Sequence, residues 1–445
     1  MLNLRSTMLV LAFAHTTFAQ CVPAWDTAIG SPGITSDGYA GPMIAFNDGR
    51  GEALYIGGSF SSAGGYVTRG IARYDPANPD TNWSDVGGGC YSTQTNYFLA
   101  ALTVHDFGSG PELVAGGSFA TAGGTSASTN LARWNGQRWL GLGTPNGAIW
   151  SLATFNGRLY AGGGFTSIGG VTVSGIASFD GTTWSSPGTG MAGGFSPGVF
   201  ALKVFNDGTG QKLYAAGRLG SIGGVNGMIA RWTGSAWQPI GAGITAVQTF
   251  SDIEAMAIHN DGTGDKLYVG GYDLRVGAVT TSVARWSGTS WSPVGQYLGG
   301  RTTALASFDD GGGSKLYNSG TAQPGINYIA SLVSNQWTIV DGGVGQPGGP
   351  PWPSTFGLCT WQQKLYIGGD FDYVGTAQLP ASGLVVRTSC ICPADFNDDG
   401  ILDFFDYLDF VSAFSAQSPT ADFNLDSIID FFDYLDFVQS FSTGC

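Results

Sequence analysis

The chain has 445 residues, of which 73 are glycine, 13% are aromatic and 11% are charged. This composition favours a β-rich structure with many turns over a helical or disordered one, and the length suits one large repeat array with an appended module or two to three ordinary domains. The formal net charge of -14 argues against a basic surface for nucleic acid, and it is unevenly placed: from Pro393 onward there are eleven Asp and no Lys or Arg.

Residues 1–19 have the pattern of a secretory signal peptide. Arg5 precedes a mostly apolar run from Met8 to Phe18, and Ala19 supplies a small residue for cleavage. We therefore expect an exported protein, extracellular, on the cell surface or periplasmic, with no transmembrane segment in the mature chain. Cys21 raises lipid attachment as an alternative, although Gln20 stands where a lipobox has a small residue.

A seven-fold repeat organises most of the chain. The repeated motif is a leucine, followed in most copies by an aromatic residue and then by small residues. It occurs as LYIGG at 54, LVAGG at 113, LYAGG at 159, LYAAG at 213, LYVGG at 267, LYNSG at 316 and LYIGG at 365. The steps between copies are 59, 46, 54, 54, 49 and 49 residues, the period of a four-stranded propeller blade. We predict an all-β fold, a seven-bladed β-propeller, over residues 20–389.

Each repeat contains four strand-like pieces, and the last opens on tryptophan in six repeats. The seventh repeat ends at LVVRT, from Leu384, without such a strand, whereas Trp25 near the mature N-terminus has the matching context. We predict that residues 22–30 supply the outermost strand of the seventh blade, because this closure removes exposed sheet edges. The glycine pairs would let neighbouring backbones approach closely.

The first repeat carries a family resemblance. LYIGGSF followed by ARYDPANPDTNW resembles a kelch repeat, in which a glycine pair ends one strand and separated Tyr and Trp residues occupy later strands. The resemblance extends over about residues 22 to 389. It implies a propeller and says little about function, because propellers host binders, scaffolds and enzymes.

Six cysteines in an exported chain indicate disulfides. Cys21 and Cys390 bracket the repeat array, and Cys392 and Cys445 bracket the acidic tail, so either pair could link segment ends; the connectivity stays open. Cys359 aligns with Ala153 of another repeat and is expected to be a buried thiol.

No catalytic constellation is evident. His105 and His259 are the histidines of the mature chain, and both occupy a position where other repeats carry an aromatic residue, so we expect packing roles.

A carboxylate pair for glycoside hydrolysis needs only two acids facing one cleft. The candidates by elimination are expected to be solvated turn residues: Asp252, Glu254, Asp273, Asp370 and Asp372. The NDGTG turns at 206 and 260 fit hairpin chemistry, with small calcium loops as the alternative.

One position of the repeat varies freely. The residue just beyond the glycine pair is Ser59, Ser118, Gly164, Arg218, Tyr272, Thr321 or Asp370. Packing positions should repeat, whereas ligand-contacting positions can diverge. We therefore predict a ligand site on one rim of the propeller, with Arg218, Tyr272 and Asp370 as its candidate residues; unconstrained loop drift is the alternative.

Residues 390–445 contain two calcium-loop motifs. In DFNDDGILDFFD, loop positions 1, 3, 5, 7, 9 and 12 of an EF-hand are Asp395, Asn397, Asp399, Ile401 through its carbonyl, Asp403 and Asp406, with Gly400 at position 6. The motif recurs 27 residues later with Asp422, Asn424, Asp426, Ile428, Asp430 and Asp433. We predict two calcium sites, the second weakened by Ser427 in place of the glycine.

The duplicated motif resembles a dockerin, the calcium module that in its family docks onto a cohesin. Residues 393–445 cover such a module, and Gly444-Cys445 resembles a bacterial subclass that ends in Gly-Cys. Phe404, Phe405, Phe431 and Phe432 stand where dockerins often carry small polar recognition residues. We expect these phenylalanines to contact a cohesin-like or other surface receptor, because the small α-helical module cannot cover all its aromatics; the partner repeat and the propeller are the alternative contacts.

The leading interpretation is an exported binding protein, anchored to a surface or complex. Its propeller would recognise a glycan or a protein, and its dockerin-like module would mediate calcium-dependent attachment. The alternative is an extracellular carbohydrate-active enzyme, a glycoside hydrolase or lyase, carried by the same module. A purely structural surface protein is a third interpretation.

Overall fold

The computed structural model describes residues 23–35, 38–78, 81–93, 97–125, 128–192, 197–241, 243–321, 329–346, 354–389, 394–397, 402–423 and 428–443. The described residues belong to two compact units. The larger unit comprises Trp25–Asp309 and Ser314–Thr388 and is all-β, whereas two helices near the C-terminus belong to the other unit. The predicted signal peptide lies outside the described residues.

The larger unit contains seven repeats of a four-stranded antiparallel arrangement, here called sheets 1 to 7 in chain order. Sheet 5 carries Ile244–Ala246 as an additional strand, and sheets 6 and 7 are joined into one eight-stranded sheet by a single bridge. Sheet 1 consists of Tyr39–Asn47, Glu52–Ser59, Ile71–Tyr74 and Trp83–Asp85, and sheet 2 of Phe98–Asp106, Pro111–Ser118, Leu131–Trp134 and Trp139–Gly141. Sheet 3 consists of Ile149–Phe155, Arg158–Gly163, Ile176–Phe179 and Trp184–Ser185, and sheet 4 of Gly198–Asn206, Gln211–Arg218, Ile229–Trp232 and Trp237–Pro239. Sheet 5 consists of Asp252–Asn260, Asp265–Val276, Val279–Trp286 and Trp291–Pro293. Sheet 6 consists of Arg301–Asp309, Ser314–Thr321, Ile329–Val333 and Gln336–Ile339. Sheet 7 consists of Ser354–Trp361, Lys364–Asp370, Leu384–Thr388 and Trp25–Asp26.

The predicted contribution of the N-terminal segment to the last sheet is confirmed. Trp25–Asp26 pairs antiparallel with Leu384–Thr388, with Trp25 opposite Arg387. The guanidinium of Arg387 also lies 4.8 Å from the centroid of the Trp25 ring. The outer edge of sheet 7 is therefore formed by the start of the mature chain.

The sheets pack in a closed series through their first strands. Each first strand contacts the first strand of the next sheet, and that of sheet 7 contacts that of sheet 1. Within the described residues, a hydrophobic cluster lies between every two successive sheets, including sheets 7 and 1. The sheets remain separate hydrogen-bonded units and do not merge into a single barrel, although one bridge from Thr321 to Ser354 joins sheets 6 and 7.

Residues of the repeat motif hold neighbouring sheets together. The tyrosine of the repeat motif is completely or almost completely buried in the six sheets that carry it, as in Tyr214 and Tyr268. In sheets 2, 4, 5 and 6 the tryptophan that opens the fourth strand donates its indole N–H to a backbone carbonyl of the preceding repeat; Trp237 Nε1 lies 2.8 Å from Pro187 O and Trp291 Nε1 lies 2.8 Å from Ile240 O. These repeated aromatics therefore have a structural role.

Short strands occupy the loops around the sheets. They are Ser62–Ala63, Tyr66–Val67, Cys90–Tyr91, Thr121–Ala122, Ser167–Ile168, Val171–Thr172, Met191–Ala192, Ser221–Ile222, Val225–Asn226, Ile244–Ala246, Val344–Gly345, Tyr373–Val374 and Leu379–Pro380. A 3-10 helix spans Ala28–Gly30.

The C-terminal unit contains α1, Phe404–Ser415, and α2, Phe431–Thr443, with a 3-10 helix at Pro419–Ala421. Its core is built around Phe410 and Phe437, which stack with ring centroids 3.9 Å apart. Among the described residues, neither these helices nor any other is long and apolar enough to cross a membrane.

Candidate functional site

A β-bulge interrupts the first strand of every sheet at the same place. The pairing with the second strand shifts there, so that residues on the first strand are left without an opposite partner. These bulge residues are Gly41 and Pro42, Ala100, Trp150, Phe200, Glu254, Thr303 and Phe356 for sheets 1 to 7. Bulges of this kind redirect side chains and are common beside functional sites.

The glycine pair of the repeat explains why the bulge is possible. A Cβ on Gly271 would overlap the carbonyl oxygen of Asp252, and one on Gly217 would overlap that of Gly198. Both glycines pair with the residue directly before the bulge on the opposite strand, Val199 for Gly217 and Ile253 for Gly271. The predicted close backbone approach is therefore confirmed, and the position accepts only glycine because there is no room for a side chain.

The bulge residues surround one pocket. Six of the seven sheets place a bulge residue on the wall of a cavity of about 560 Å³, and Phe200 of the remaining sheet lines an adjoining cavity of about 230 Å³ together with Trp150 and Glu254. We call the two cavities together the bulge pocket. Its size falls within the range of small-ligand sites.

Aromatic rings occupy two sides of the bulge pocket. Trp150 and Phe200 meet edge to face, with centroids 4.7 Å apart and planes at 67°. Tyr39 and Phe356 contact each other with centroids 4.6 Å apart. All four side chains are only partly buried, so part of each ring remains accessible.

An acid–arginine cluster completes the wall. The Asp252 carboxylate is fully buried, and its Oδ2 lies 2.6 Å from Arg218 Nη2 and 3.5 Å from Arg301 Nη1. Arg301 also donates a hydrogen bond to Oε1 of Glu254. The arginines extend over aromatic rings as well: Arg218 lies 5.6 Å from the centroid of Phe200, and Arg301 lies 5.3 Å from that of Tyr272. Asp252 therefore holds both arginines in place.

Glu254 is the titratable group of this cluster that faces the pocket. Burial raises its pKa to about 7, and the negative charge of Asp252 acts in the same direction, while the charge of Arg301 opposes them. Among the described residues, Arg301 is its hydrogen-bond partner, through Oε1. The second carboxylate oxygen is thus available to a ligand.

The predicted rim residues lie next to the bulges. Arg218 stands opposite Gly198 and Tyr272 opposite Asp252, so both flank the bulge pocket and contact residues that line it. Asp370 stands opposite Ser354 and accepts a hydrogen bond from Gln346 Nε2 at 2.6 Å. Burial raises the pKa of Asp370. Whether a ligand uses these residues stays a prediction.

The expectation of solvated turn residues is wrong for four of the five candidate acids, because Asp252, Glu254, Asp273 and Asp370 all lie on strands. Asp252 lies on a first strand and is buried by its arginines. Asp273 is 5% exposed and accepts hydrogen bonds from Gln248 Nε2 at 2.7 Å and from the Tyr297 hydroxyl. Burial of these carboxylates restricts their access to a substrate, whereas Asp372 is exposed.

The two histidines have the predicted packing position. Nδ1 of His105 lies 3.1 Å from the Thr154 hydroxyl of the next sheet, and Nδ1 of His259 lies 2.9 Å from the Ser307 hydroxyl. Burial lowers the pKa of both imidazoles. Each ring therefore joins neighbouring sheets in its neutral form.

The NDGTG turns form hydrogen-bonded hairpins. Asn206 Oδ1 accepts from the backbone N–H groups of Gly208 and Gly210 at 3.0 and 3.1 Å. Asp207 accepts from Thr209, from the Tyr214 hydroxyl at 3.0 Å and from Arg231 of the third strand. The turn acids are thus occupied by protein donors. The sequence did not reveal this pairing, although the acid and the arginine recur together in sheet 5, as Asp261 and Arg285.

The calcium loops are described in part. Asp406 is fully buried; its Oδ1 accepts from the backbone N–H groups of Phe396 and Asn397 at 2.8 and 3.2 Å, and its Oδ2 accepts from that of Asp403 at 2.8 Å. Asp433 has the equivalent bonds from Phe423 and Asp430, at 2.7 and 2.8 Å. Asp403 and Asp430 cap α1 and α2 by accepting from the backbone N–H two residues later, both at 2.8 Å.

The remaining predicted ligands are distributed as follows. Asp395, Asn397, Asp422 and Ile428 are described, whereas Asp399, Ile401, Asn424 and Asp426 lie outside the described residues. Within the described part of the chain, no group of three or more His, Cys, Asp or Glu side chains is placed to hold a metal ion. The predicted ligands are carboxylate, amide and carbonyl oxygens, the donors that calcium prefers, in a segment that has no Lys or Arg from Pro393 onward.

The four predicted partner-binding phenylalanines are exposed. Phe404 and Phe405 at the start of α1 are 64% and 65% exposed, and Phe431 and Phe432 at the start of α2 are 63% and 64% exposed. The two pairs are related by the same 27-residue offset as the loops. Large apolar side chains exposed in equivalent pairs are typical of an interaction surface.

The cysteines that could link segment ends, Cys21, Cys390, Cys392 and Cys445, lie outside the described residues. Cys90 and Cys359 carry free thiols. Burial raises the pKa of Cys90 well above its usual range and that of Cys359 to about 11. Both thiols are therefore protonated, and Cys359 stands opposite Tyr366 just as Ala153 stands opposite Tyr160, in agreement with the predicted alignment.

No protein-family model and no curated protein matches this chain. Solved structures to which this chain is similar include two of the extracellular domain of BT4673 from B. thetaiotaomicron, described as a putative one-component system in one case and a putative hybrid two-component system in the other. Their sequence identities are 11% and 10%, with TM-scores of 0.48 and 0.47; the similarity covers 82% of this chain and 39% and 40% of those chains. This chain thus spans well under half of their length, and its function has to be argued from its own residues.

Proposed function

We propose that this chain is an exported binding protein. In this proposal a seven-bladed, kelch-like β-propeller recognises a glycan or a protein at the bulge pocket. A dockerin-like module with two calcium loops attaches the protein to the cell surface or to an assembly. The signal-peptide pattern of residues 1–19 supports export.

The closed series of seven four-stranded sheets supports the propeller. The first strands contact one another in sequence from sheet 1 to sheet 7 and back to sheet 1. In a propeller the innermost strands line a central channel. The bulge pocket would then be one mouth of that channel, because the bulge residues belong to the first strands.

The observation that carries the binding function is the chemistry of the bulge residues. They share one structural position, yet they include glycine, proline, alanine, tryptophan, phenylalanine, glutamate and threonine. The residues that hold sheets together repeat, as the buried tyrosines do. Diversity at one position around one pocket therefore favours recognition of an asymmetric ligand over a packing role.

A pocket-filling variant tests this function without assuming the ligand class. The full chain is incubated with a panel of polysaccharides and envelope proteins, and retention is compared between the wild type and Ala100→Trp. Sheet 3 already carries tryptophan at the equivalent position, so the variant should fold, and its melting temperature checks this. We expect retention to be lost in Ala100→Trp and kept in Tyr66→Ala, a change at a tyrosine that is 46% exposed outside the pocket. Equal retention in all three proteins would contradict the proposal.

The acidic tail supports calcium binding. Asp395, Asn397, Asp399, the Ile401 carbonyl, Asp403 and Asp406 would hold the first ion, and the equivalent residues from Asp422 to Asp433 the second. Calcium would supply the positive charge that these carboxylates lack within the segment. The buried Asp406 and Asp433 would connect each loop to the start of its helix.

Calcium titration of the full chain tests the tail. We expect two ions per chain by calorimetry, one in Asp406→Ala, and none in the double variant with Asp433→Ala. The exposed helix acids Asp409 and Asp436 provide a matched control, because their replacement by alanine removes the same charge and should leave both sites. Attachment to an envelope preparation should require calcium. Failure of the wild type to bind calcium, or attachment that persists in chelator, would refute this part of the proposal.

A carbohydrate-active enzyme is the second candidate, favoured by one observation. Glu254 faces the bulge pocket with a pKa near 7, which suits a general acid. Its neighbour Asp252 is fully buried against Arg218 and Arg301 and cannot reach a substrate. Soluble product from a retained polysaccharide, lost in Glu254→Gln, would favour the enzyme; retention without product favours the binding protein.

A further inference from the structure

The bulge pocket has one corner built to hold an aromatic surface. The Trp150 ring lies over Gly164 and Gly198: a Cβ on Gly164 would come within 2.8 Å of its Cη2, and one on Gly198 would overlap both Trp150 and Phe200. Neither glycine has the left-handed backbone that favours glycine. These two glycines are therefore explained by the space that the indole occupies.

The polar side of the corner has no net charge when Glu254 is ionised. Arg218 and Arg301 are balanced by Asp252 and Glu254, and each guanidinium already faces a carboxylate. An anionic ligand would have to compete with buried acids for these arginines, and a cationic ligand would meet two arginines. The hydrogen-bonding groups on the pocket wall are Glu254 and Arg301, an ion pair whose charges cancel.

We infer that the bulge pocket binds a neutral saccharide. One sugar ring packs its apolar C–H face on Trp150 and Phe200, and its hydroxyls donate to the open oxygen of Glu254 and accept from Arg301. A pyranose combines one apolar face with a polar rim, which matches an aromatic corner beside a neutral, hydrogen-bonding wall. This inference rests on the proposed role of the pocket as the ligand site and specifies its ligand.

The test measures retention of the full chain by neutral polysaccharides, such as glucans, mannans and xylans, and by acidic ones, such as polygalacturonate and alginate. We expect retention by at least one neutral polysaccharide, weakened about tenfold or more in Trp150→Ala, because the stacking surface is lost. Tyr66→Ala, a matched loss of an exposed aromatic outside the pocket, should bind as the wild type does. Gly198→Ala should also weaken binding, since it displaces the indole without removing it.

The outcomes separate this inference from the proposed function. Retention by acidic polysaccharides or by a protein alone, blocked in Ala100→Trp, would overturn the neutral saccharide and leave the pocket as a binding site. Retention by a neutral polysaccharide that neither Trp150→Ala nor Ala100→Trp affects would overturn both. Melting temperatures of each variant exclude unfolding as the cause of any loss.

Discussion

The two ends of the first strands contrast sharply. At the end that enters the turn, sheets 4 and 5 carry the same residues in the same roles: Asp207 and Asp261 each accept from a threonine, from the tyrosine of the repeat and from an arginine of the third strand. At the bulge end, the equivalent residues of these sheets are Phe200 and Glu254. The first strands of these sheets therefore carry the same residues at the turn end and different residues at the bulge end.

This contrast separates residues that maintain the fold from residues that can recognise a ligand. A turn acid accepts hydrogen bonds from donors that recur in each copy of its hairpin, so the same acid is suited to each copy. A bulge residue points into a pocket shared by all sheets, where its neighbours differ on each side. Sheet 3 supports the first point: its turn is Asn156-Gly157 without the acid, and Ser178 replaces the arginine of its third strand.

The largest effect should follow removal of a turn acid. Asp207→Ala leaves Arg231 and the Tyr214 hydroxyl without their acceptor, and we expect a loss of about 3 kcal/mol in the free energy of unfolding. Ligand retention at the bulge pocket should be unchanged once the protein is folded. Urea denaturation measures the free energy of unfolding. The control is Asp180→Ala, which removes an exposed turn acid of sheet 3. An equal loss in the free energy of unfolding in Asp207→Ala and Asp180→Ala would contradict the structural role of Asp207.

The pH dependence of this contribution has a definite sign. Burial opposes ionisation of Asp207, but the hydrogen bonds from Thr209 and Tyr214 and the charge of Arg231 together outweigh it and lower the pKa. The stability due to Asp207 is therefore present above the ordinary aspartate pKa of about 4 and is lost as the pH falls through the lowered value. The stability difference between the wild type and Asp207→Ala should narrow at low pH.

The sequence predicted the repetitive features better than the individual ones. The LYxGG motif and the periodic tryptophans identified the sheets, and the context of Trp25 identified its pairing with the last strand. The bulge residues Trp150 and Phe200 were missed because a bulge breaks the alternation from which side-chain direction is inferred. The signal would have been a first-strand position that changes from repeat to repeat and lies one or two residues after the partner of the second glycine.

Long-range pairing limited the prediction of the acids. Asp252 follows a polar loop and resembles a turn residue in the sequence, but its carboxylate meets Arg218, which is 34 positions earlier in the chain, and Arg301 of the next sheet. Local patterns contain no information about such partners. In the tail the opposite holds, since loop spacing and the first helical residues are local features, and the helices begin at Phe404 and Phe431, within the last three positions of the predicted loops.

A smaller effect is expected at the bulge end, and it has the opposite sign. Glu254 has a folded-state pKa of about 7, raised by burial, above the ordinary glutamate value. For an acid with a raised pKa, the folded state favours the protonated form, so stability is lost as the pH rises from about 4 through the folded value. Glu254→Gln removes this loss and should be more stable than the wild type above pH 7, with no difference between the two proteins below pH 4. Thermal unfolding across this range measures it, and a variant less stable than the wild type at pH 8 would place Glu254 among the residues that maintain the fold.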